Sequence, residues 1–137
     1  MRKALPVAAL LGLALPALAL PAFAQGEKPL NAEEFDALTR GTVMDTWSGG
    51  SIYGVEKFLP GGKSIWEDER GCMYGTWKQV GELICFTYED DPEPDCWTYF
   101  DTGDGGLSAR FRGDPEVQPI YLKPSNHPMR CNEYLGS

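Results

Sequence analysis

Two segments of the chain carry alternating aromatic side chains that could form a binding surface. They are "ELICFTYE", residues 82 to 89, and "DCWTYFD", residues 95 to 101. Because successive side chains of a strand point to opposite faces, Phe86 and Tyr88 share one face of the first segment, and Trp97 and Tyr99 share one face of the second, opposite to Phe100. A short turn over 90–92 would join the two faces into one. The candidate ligand-binding residues on this joint face are Phe86, Tyr88, Trp97 and Tyr99.

This aromatic face has two interpretations. It can be a core face that is packed by a helix or by opposite strands, as aromatic side chains on central strands commonly are. It can also line a cavity, because closed barrels of about eight strands can hold one small molecule. The first interpretation needs no ligand, whereas the second predicts an apolar one.

An acidic run lies between the two aromatic segments, around two prolines. Its members are Glu89, Asp90, Asp91, Glu93 and Asp95. The run can be a solvated hairpin tip, a contact for a basic partner or a calcium loop. Calcium loops need a fixed spacing with a glycine at the sharp turn, and this run has prolines instead. The solvated tip is therefore favoured, and no metal site is predicted.

Motifs for catalysis are incomplete. The segment "PGGKS" imitates a phosphate-binding loop, but Lys57 stands where that motif needs a glycine. The single histidine, His127, follows no nucleophile motif. Glu67 and Asp68 could supply a carboxylate pair for glycoside hydrolysis, so an envelope hydrolase is the lowest-ranked alternative. We predict no catalytic residues and no cofactor.

The first 24 residues have the features of a secretory signal. Arg2 and Lys3 precede an apolar run, and the small-residue motif Ala-Phe-Ala ends at Ala24. We expect cleavage after Ala24, a short flexible lead over 25–30, and no membrane span in the mature chain. A retained anchor is the alternative, but prolines interrupt the apolar run. The expected location is periplasmic or secreted.

The charge of the chain limits its partners. The segment 1–24 contains two of the 12 basic residues and none of the 20 acidic ones, so the mature chain would carry a formal charge of −10 instead of −8. Such a surface repels phosphate backbones and anionic lipids, which argues against nucleic-acid binding. Neutral ligands and basic partners stay open, and the sequence predicts no particular oligomeric state.

The cysteines predict two disulfides. An even number in a small exported chain is typical of a disulfide framework. The four are Cys72, Cys85, Cys96 and Cys131. No Cys-x-x-Cys motif occurs, so a zinc site or a thioredoxin-like redox centre is not indicated. Three pairings are possible. A turn over 90–92 would place Cys85 opposite Cys96 and Tyr88 opposite Glu93, which favours Cys85–Cys96 and leaves Cys72–Cys131.

Residues 31–137 are predicted to form a single disulfide-stabilised β domain. Asn31 and Glu34 form a capping-box pattern, so a short helix is expected over 32–40, ended by Gly41. Eight strand-like segments follow, separated by glycine-rich turns. They cover 42–47, 51–59, 63–69, 72–79, 82–89, 95–101, 106–112 and 118–123. The fold class is therefore mainly β: an antiparallel meander that forms a lipocalin-like barrel or curved sheet, with the short N-terminal helix against one opening or face.

Three short motifs resemble small exported bacterial β-domain proteins of unknown function. These are a Gly-x-Trp strand over 75–77, a Leu-x-Cys strand over 83–85 and a Cys-aromatic strand at 96–97. The resemblance covers about residues 31–112 and implies a periplasmic β-rich domain without transferable catalytic residues. A looser resemblance is to periplasmic lysozyme inhibitors, which are small disulfide-bonded barrels, although their characteristic loop motifs are absent here.

Together these features predict a non-enzymatic periplasmic binding or interaction module. Its partner would be an apolar small molecule or an envelope protein. The alternative is an acidic inhibitor or docking protein that uses the acidic run to bind a basic partner.

Overall fold

The computed structural model describes residues 3–6, 9, 11–17 and 27–132. The expected cleavage site after Ala24, the first two residues of the lead and residues 133–137 lie outside the described residues. Among those described, no helix is long and apolar enough to cross a membrane.

One helix precedes eight strands. The elements are α1 (Ala32–Thr39), β1 (Val43–Ser48), β2 (Ser51–Leu59), β3 (Lys63–Asp68), β4 (Gly71–Val80), β5 (Leu83–Tyr88), β6 (Asp91–Asp101), β7 (Leu107–Phe111) and β8 (Ile120–Pro124). Each strand pairs antiparallel with the next along the chain, and β1 also pairs with β8. The sheet is therefore a closed antiparallel barrel, which confirms the predicted fold class.

Helix α1 begins with the predicted capping box. The Asn31 side chain accepts a hydrogen bond from the Glu34 backbone at 2.9 Å, and the Glu34 carboxylate accepts one from the Asn31 backbone at 2.9 Å. The helix ends at Thr39, and Gly41 follows with a φ of 78°, in the left-handed region that suits glycine. The lead also contacts the barrel, since the Leu30 backbone donates a hydrogen bond to the Tyr99 carbonyl at 2.8 Å.

Phe35 carries the contact between helix and barrel. It is fully buried, and its ring centroid lies 4.6 to 6.3 Å from four rings of the barrel interior. These rings belong to Phe58, Trp77, Phe86 and Tyr99. Phe35 therefore packs into the end of the barrel at which β2, β4 and β6 finish, which we call the helix end.

Both disulfides expected from the sequence are present. Cys85–Cys96 links β5 to β6, and Cys72–Cys131 ties the C-terminal tail to β4. The tail is held further by Arg130, whose side chain forms an ion pair with Glu67 at 2.7 Å.

The start of β6 differs from the prediction. The strand begins at Asp91 instead of Asp95, so the turn between β5 and β6 is only residues 89–90. Tyr88 lies opposite Asp91 and not opposite Glu93, because the register shifts after Phe86. The shift falls at residues 92–94, where two prolines lack the N–H groups that regular pairing needs. The predicted turn over 90–92 and the pairing of Tyr88 with Glu93 were therefore wrong, whereas Glu89, Asp90, Asp91 and Glu93 are exposed, in agreement with a solvated hairpin tip.

Candidate functional site

A cavity of about 280 Å³ lies inside the barrel, toward the end opposite to α1. All four candidate ligand-binding residues of the sequence line it: Phe86, Tyr88, Trp97 and Tyr99. Phe86 and Tyr99 also contact Phe35, so they belong to the core and to the cavity wall at once. The two interpretations of the aromatic face thus apply to different depths of the same barrel.

The acidic run reaches the cavity only in part. Asp90, Asp91 and Asp95 line it, whereas Glu89 and Glu93 are exposed and do not. The pairing of β5 with β6 passes from Phe86–Asp95 to Tyr88–Asp91, so one residue of β5 faces three of β6. This bulge keeps Asp91 and Asp95 on the same inner side while residues 92–94 turn away.

A second irregularity shapes the opposite wall. The pairing of β1 with β2 passes from Thr46–Gly54 to Trp47–Ile52, which leaves Tyr53 as an extra residue on β2. A bulged residue departs from the strict alternation of a strand, and Tyr53 lines the cavity although regular alternation would turn it outward. Its ring lies 5.5 Å from that of Trp66.

Trp66 occupies space that Gly54 leaves free. A Cβ atom on Gly54 would lie 2.0 Å from the Trp66 ring, so only glycine allows the indole to lie flat on β2. The Trp66 indole N–H donates to the Asp68 carboxylate at 2.7 Å, and Arg70 forms an ion pair with the same carboxylate at 2.8 Å. Hydrogen bonding by Arg70 lowers the pKa of Asp68 to about 2. We call Asp68, Arg70, Asp90, Asp91 and Asp95 the mouth of the cavity.

Glu56 is the one carboxyl group deep in the cavity wall among the described residues. It is only 4% exposed, and the Tyr88 hydroxyl donates to its two oxygens at 3.0 and 3.1 Å. Burial raises the pKa of Glu56 to about 8, because the charged form loses its hydration, and the hydrogen bond from Tyr88 opposes this rise. Glu56 can therefore gain or lose a proton near neutral pH.

Thr46 supplies a further polar atom inside the cavity. Its side chain is 2% exposed and lines the cavity from β1. The hydroxyl oxygen is buried and has no hydrogen-bond partner among the residues that the structure describes. Buried polar groups are normally hydrogen-bonded, so this hydroxyl is available to a bound molecule.

The other residues considered for catalysis are not brought together. Glu67 is bound by Arg130 of the tail, whereas the neighbouring Asp68 lines the cavity, so the two carboxylates belong to different surfaces. His127 lies in the tail, where its backbone N–H bonds the Ser125 hydroxyl. Within the described ranges, no group of three or more His, Cys, Asp or Glu side chains could hold a metal ion.

Sequence reasoning missed several residues of this site, among them Thr46, Tyr53, Glu56, Trp66 and Arg70. One signal was available. In "SIYGVEKFL" the apolar Phe58 and the charged Glu56 are two residues apart, so both point to the same face of the strand. A charged residue that shares a strand face with a core aromatic residue indicates a polar group in the interior of the barrel.

Comparison with known proteins adds nothing to this geometry: no family model, no curated protein and no solved structure matches the chain. The resemblances to exported β-domain proteins and to lysozyme inhibitors stay predictions from the sequence.

Proposed function

We propose that this protein is a non-enzymatic binding module of the periplasm or the extracellular space, and that its barrel holds one small molecule with an apolar body. The cavity that the predicted aromatic residues line carries this proposal. Ligand sites are typically concave, mostly apolar and furnished with a few polar groups that fix orientation. Phe86, Trp97 and Tyr99 supply the apolar wall here, and Glu56 and Thr46 the polar groups.

The size of the cavity restricts the ligand. Its volume of about 280 Å³ lies at the lower limit of the range in which drug-sized molecules bind. A single aromatic ring system or a short branched chain suits it, whereas a long acyl chain would extend through the mouth. The two disulfides support an oxidising compartment for the protein.

The absence of paired reactive groups favours binding over catalysis. Asp68 is engaged with Arg70 and Trp66, and Glu56 with Tyr88. Glycosidases need two carboxyl groups that flank one bond, and the cavity pairs its single deep carboxyl with a tyrosine. The same arrangement can orient a polar group of a bound molecule.

Binding of 2-naphthol, a small neutral aromatic probe, tests this proposal. Trp66 and Trp97 line the cavity, so a bound probe should change the protein's tryptophan fluorescence in a saturable manner. Ile120 also lines the cavity, and Ile120→Trp should fill it and abolish the signal. Tyr121→Trp is the matched control, because Tyr121 is adjacent but 43% exposed. Equal binding by both variants, or no binding by the wild type, would contradict the cavity proposal.

A second candidate function rests on the mouth. Asp90, Asp91 and Asp95 lie together there and could contact a basic protein. Attraction between exposed charges is screened beyond about 8 Å at physiological ionic strength, so such association should weaken strongly when salt is added. Surface plasmon resonance with lysozyme as the basic partner, in low and high salt, measures this. Association that does not depend on salt would count against the docking role.

A further inference from the structure

The charges that line the cavity are strongly unbalanced. Five carboxyl groups and one guanidinium group face it. The carboxyl groups are Glu56, Asp68, Asp90, Asp91 and Asp95. The guanidinium belongs to Arg70, which forms an ion pair with Asp68. Arg70 also attracts Asp90, Asp91 and Asp95, but a single positive charge faces five carboxyl groups, so the cavity lining keeps an excess of acids.

We propose that the molecule held in this cavity is a small organic amine, whose ammonium group lies beside Glu56 and whose apolar body contacts the aromatic wall. This inference rests on the proposed binding function and specifies its ligand class. The ammonium would enter past the acidic mouth, which attracts cations, and reach the deep carboxyl group.

Two buried acceptors of the cavity wall, on the neighbouring strands β1 and β2, fit an ammonium group. Glu56 is a carboxyl group that is almost completely removed from solvent. The Thr46 hydroxyl, which lacks a partner in the described part of the chain, offers a second oxygen from the neighbouring strand. An ammonium group has three N–H donors and no acceptor, so it can use both oxygens. The solvent-exposed carboxyl groups of the mouth would not by themselves form such a site.

The aromatic wall also favours a cation. A positive charge over the face of an aromatic ring gains about 0.5–2 kcal/mol, the upper value when water is excluded. The buried Tyr99 and the partly buried Tyr88 line the cavity together with Phe86 and Trp97. An anionic ligand would gain nothing from these rings and would be repelled by the mouth.

Protonation of Glu56 gives the inference a pH signature. The titratable groups that interact with it are Tyr53, Tyr88 and Tyr99, and Asp95 interacts in turn with Tyr53 and Tyr99. Burial raises the pKa of all three tyrosines, that of Tyr53 to about 12, so they stay neutral at physiological pH. Burial also raises the pKa of Asp95. An amine needs the ionised form of Glu56, and this form is the minority below about pH 8.

Amine affinity should therefore rise with pH. Below pH 8 the ionised fraction of Glu56 changes about tenfold per pH unit, and the affinity should follow it. A primary amine keeps its own proton up to about pH 10, so the affinity should level off above pH 8 and fall only near pH 10. Binding below pH 8 should release a proton.

A matched series of probes tests the ligand class. These are 2-phenylethylamine, 2-phenylethanol and 3-phenylpropionate, which are cationic, neutral and anionic molecules of similar size. Calorimetry at pH 8 should show the amine binding at least about tenfold more tightly than the alcohol, and no binding of the carboxylate. Glu56→Gln should reduce amine affinity at least about tenfold, remove its pH dependence and abolish the preference for the amine over the alcohol.

Glu82→Gln is the control for charge, because Glu82 is exposed in the turn at the helix end. It should change neither the affinity for the amine nor that for the alcohol. If Glu56→Gln fails to fold, Tyr88→Phe provides a second test, because it keeps the carboxyl group of Glu56 but removes the hydrogen bond that the Tyr88 hydroxyl donates to it. This hydrogen bond lowers the pKa of Glu56, so the variant should still prefer the amine, and its amine affinity should rise at a higher pH than that of the wild type.

The outcomes separate the inference from the proposed function. If the alcohol binds as tightly as the amine, the amine inference is overturned and the cavity proposal stands. If no probe binds and 2-naphthol does not bind either, both fail. If only lysine-rich peptides bind and free amines do not, the amine inference is overturned in favour of a docking role.

Discussion

The two ends of the barrel are formed by the same strands, but their interiors contain different kinds of side chains. At the helix end, Phe35 packs edge-on against the rings of Phe58 and Trp77, with no charged group in the cluster. The opposite end contains the cavity and its mouth: aromatic rings lie among carboxyl groups, two strand pairs are bulged, and the buried Glu56 faces inward and is hydrogen-bonded to Tyr88. The first end is packed as an apolar core, and the second contains the polar groups on which the proposed function depends.

This difference shows how a small barrel can keep a cavity. The core needs enough buried apolar area to offset the conformational entropy of folding, and α1 adds to it by burying Phe35 at one end of the barrel. The other end can then contain buried polar groups, which reduce stability. The apolar core and the proposed binding site are thus separated along the barrel axis.

Phe35→Ala should have the largest effect on stability and tests this separation. Removal of a fully buried phenylalanine ring leaves a cavity and should lower the free energy of unfolding by about 3–5 kcal/mol. Tyr53→Ala, at the mouth, removes a ring that is 43% exposed and should cost less than about 1 kcal/mol. Urea unfolding followed by circular dichroism measures both. Similar losses for the two variants would show that the ends contribute equally and would refute the separation.

The helix end was also the more predictable one. The capping box at Asn31, the stop at Gly41 and the alternation of the strands are local patterns, and the sequence contains them directly. The Cys85–Cys96 pair was predicted correctly although the turn was not, because the two extra residues of β6 in the bulge compensate for the shorter turn and restore the predicted register at Cys85.

The mouth was less predictable because its geometry comes from irregularities of the closed sheet. The bulge at Tyr53 reverses the side of one residue, and the shift over 92–94 changes which acids face inward. The alternation of side chains along a strand assigns residues to the inner or outer face of the barrel only as far as the first extra residue of a bulge. Whether Phe86 and Tyr99 form core or cavity depended on how deep α1 reaches, which no local pattern determines.

An intermediate effect is expected from the pH dependence of stability. The pKa of Glu56 is raised from an ordinary value of 4.5 to about 8 in the folded protein, so the folded state holds a proton that the unfolded state releases between these values. The free energy of unfolding should therefore fall, by a few kcal/mol, as pH rises from about 4.5 to 8, and level off above 8. This loss is absent below pH 4.5, where both states are protonated.

Comparison with Glu56→Gln isolates this contribution from those of the other carboxyl groups. Urea unfolding at intervals between pH 4 and 9 should show the difference between wild type and variant growing through this window, in favour of the variant. Parallel curves would mean that Glu56 titrates normally and that the cavity is wetter than its burial indicates.

The smallest effect is expected at the rim of the mouth, from Arg70→Gln. The Arg70 side chain is 73% exposed, and ion pairs exposed to solvent contribute little to stability, so the free energy of unfolding should hardly change. The pKa of Asp68 should nevertheless rise from about 2, because its principal hydrogen-bond donor is lost. NMR titration of the Asp68 carboxyl measures the shift, with the Trp66 indole N–H, its other donor, as a second reporter. A large loss of stability would contradict the division of roles, since it would mean that the mouth, like the helix end, holds the barrel together.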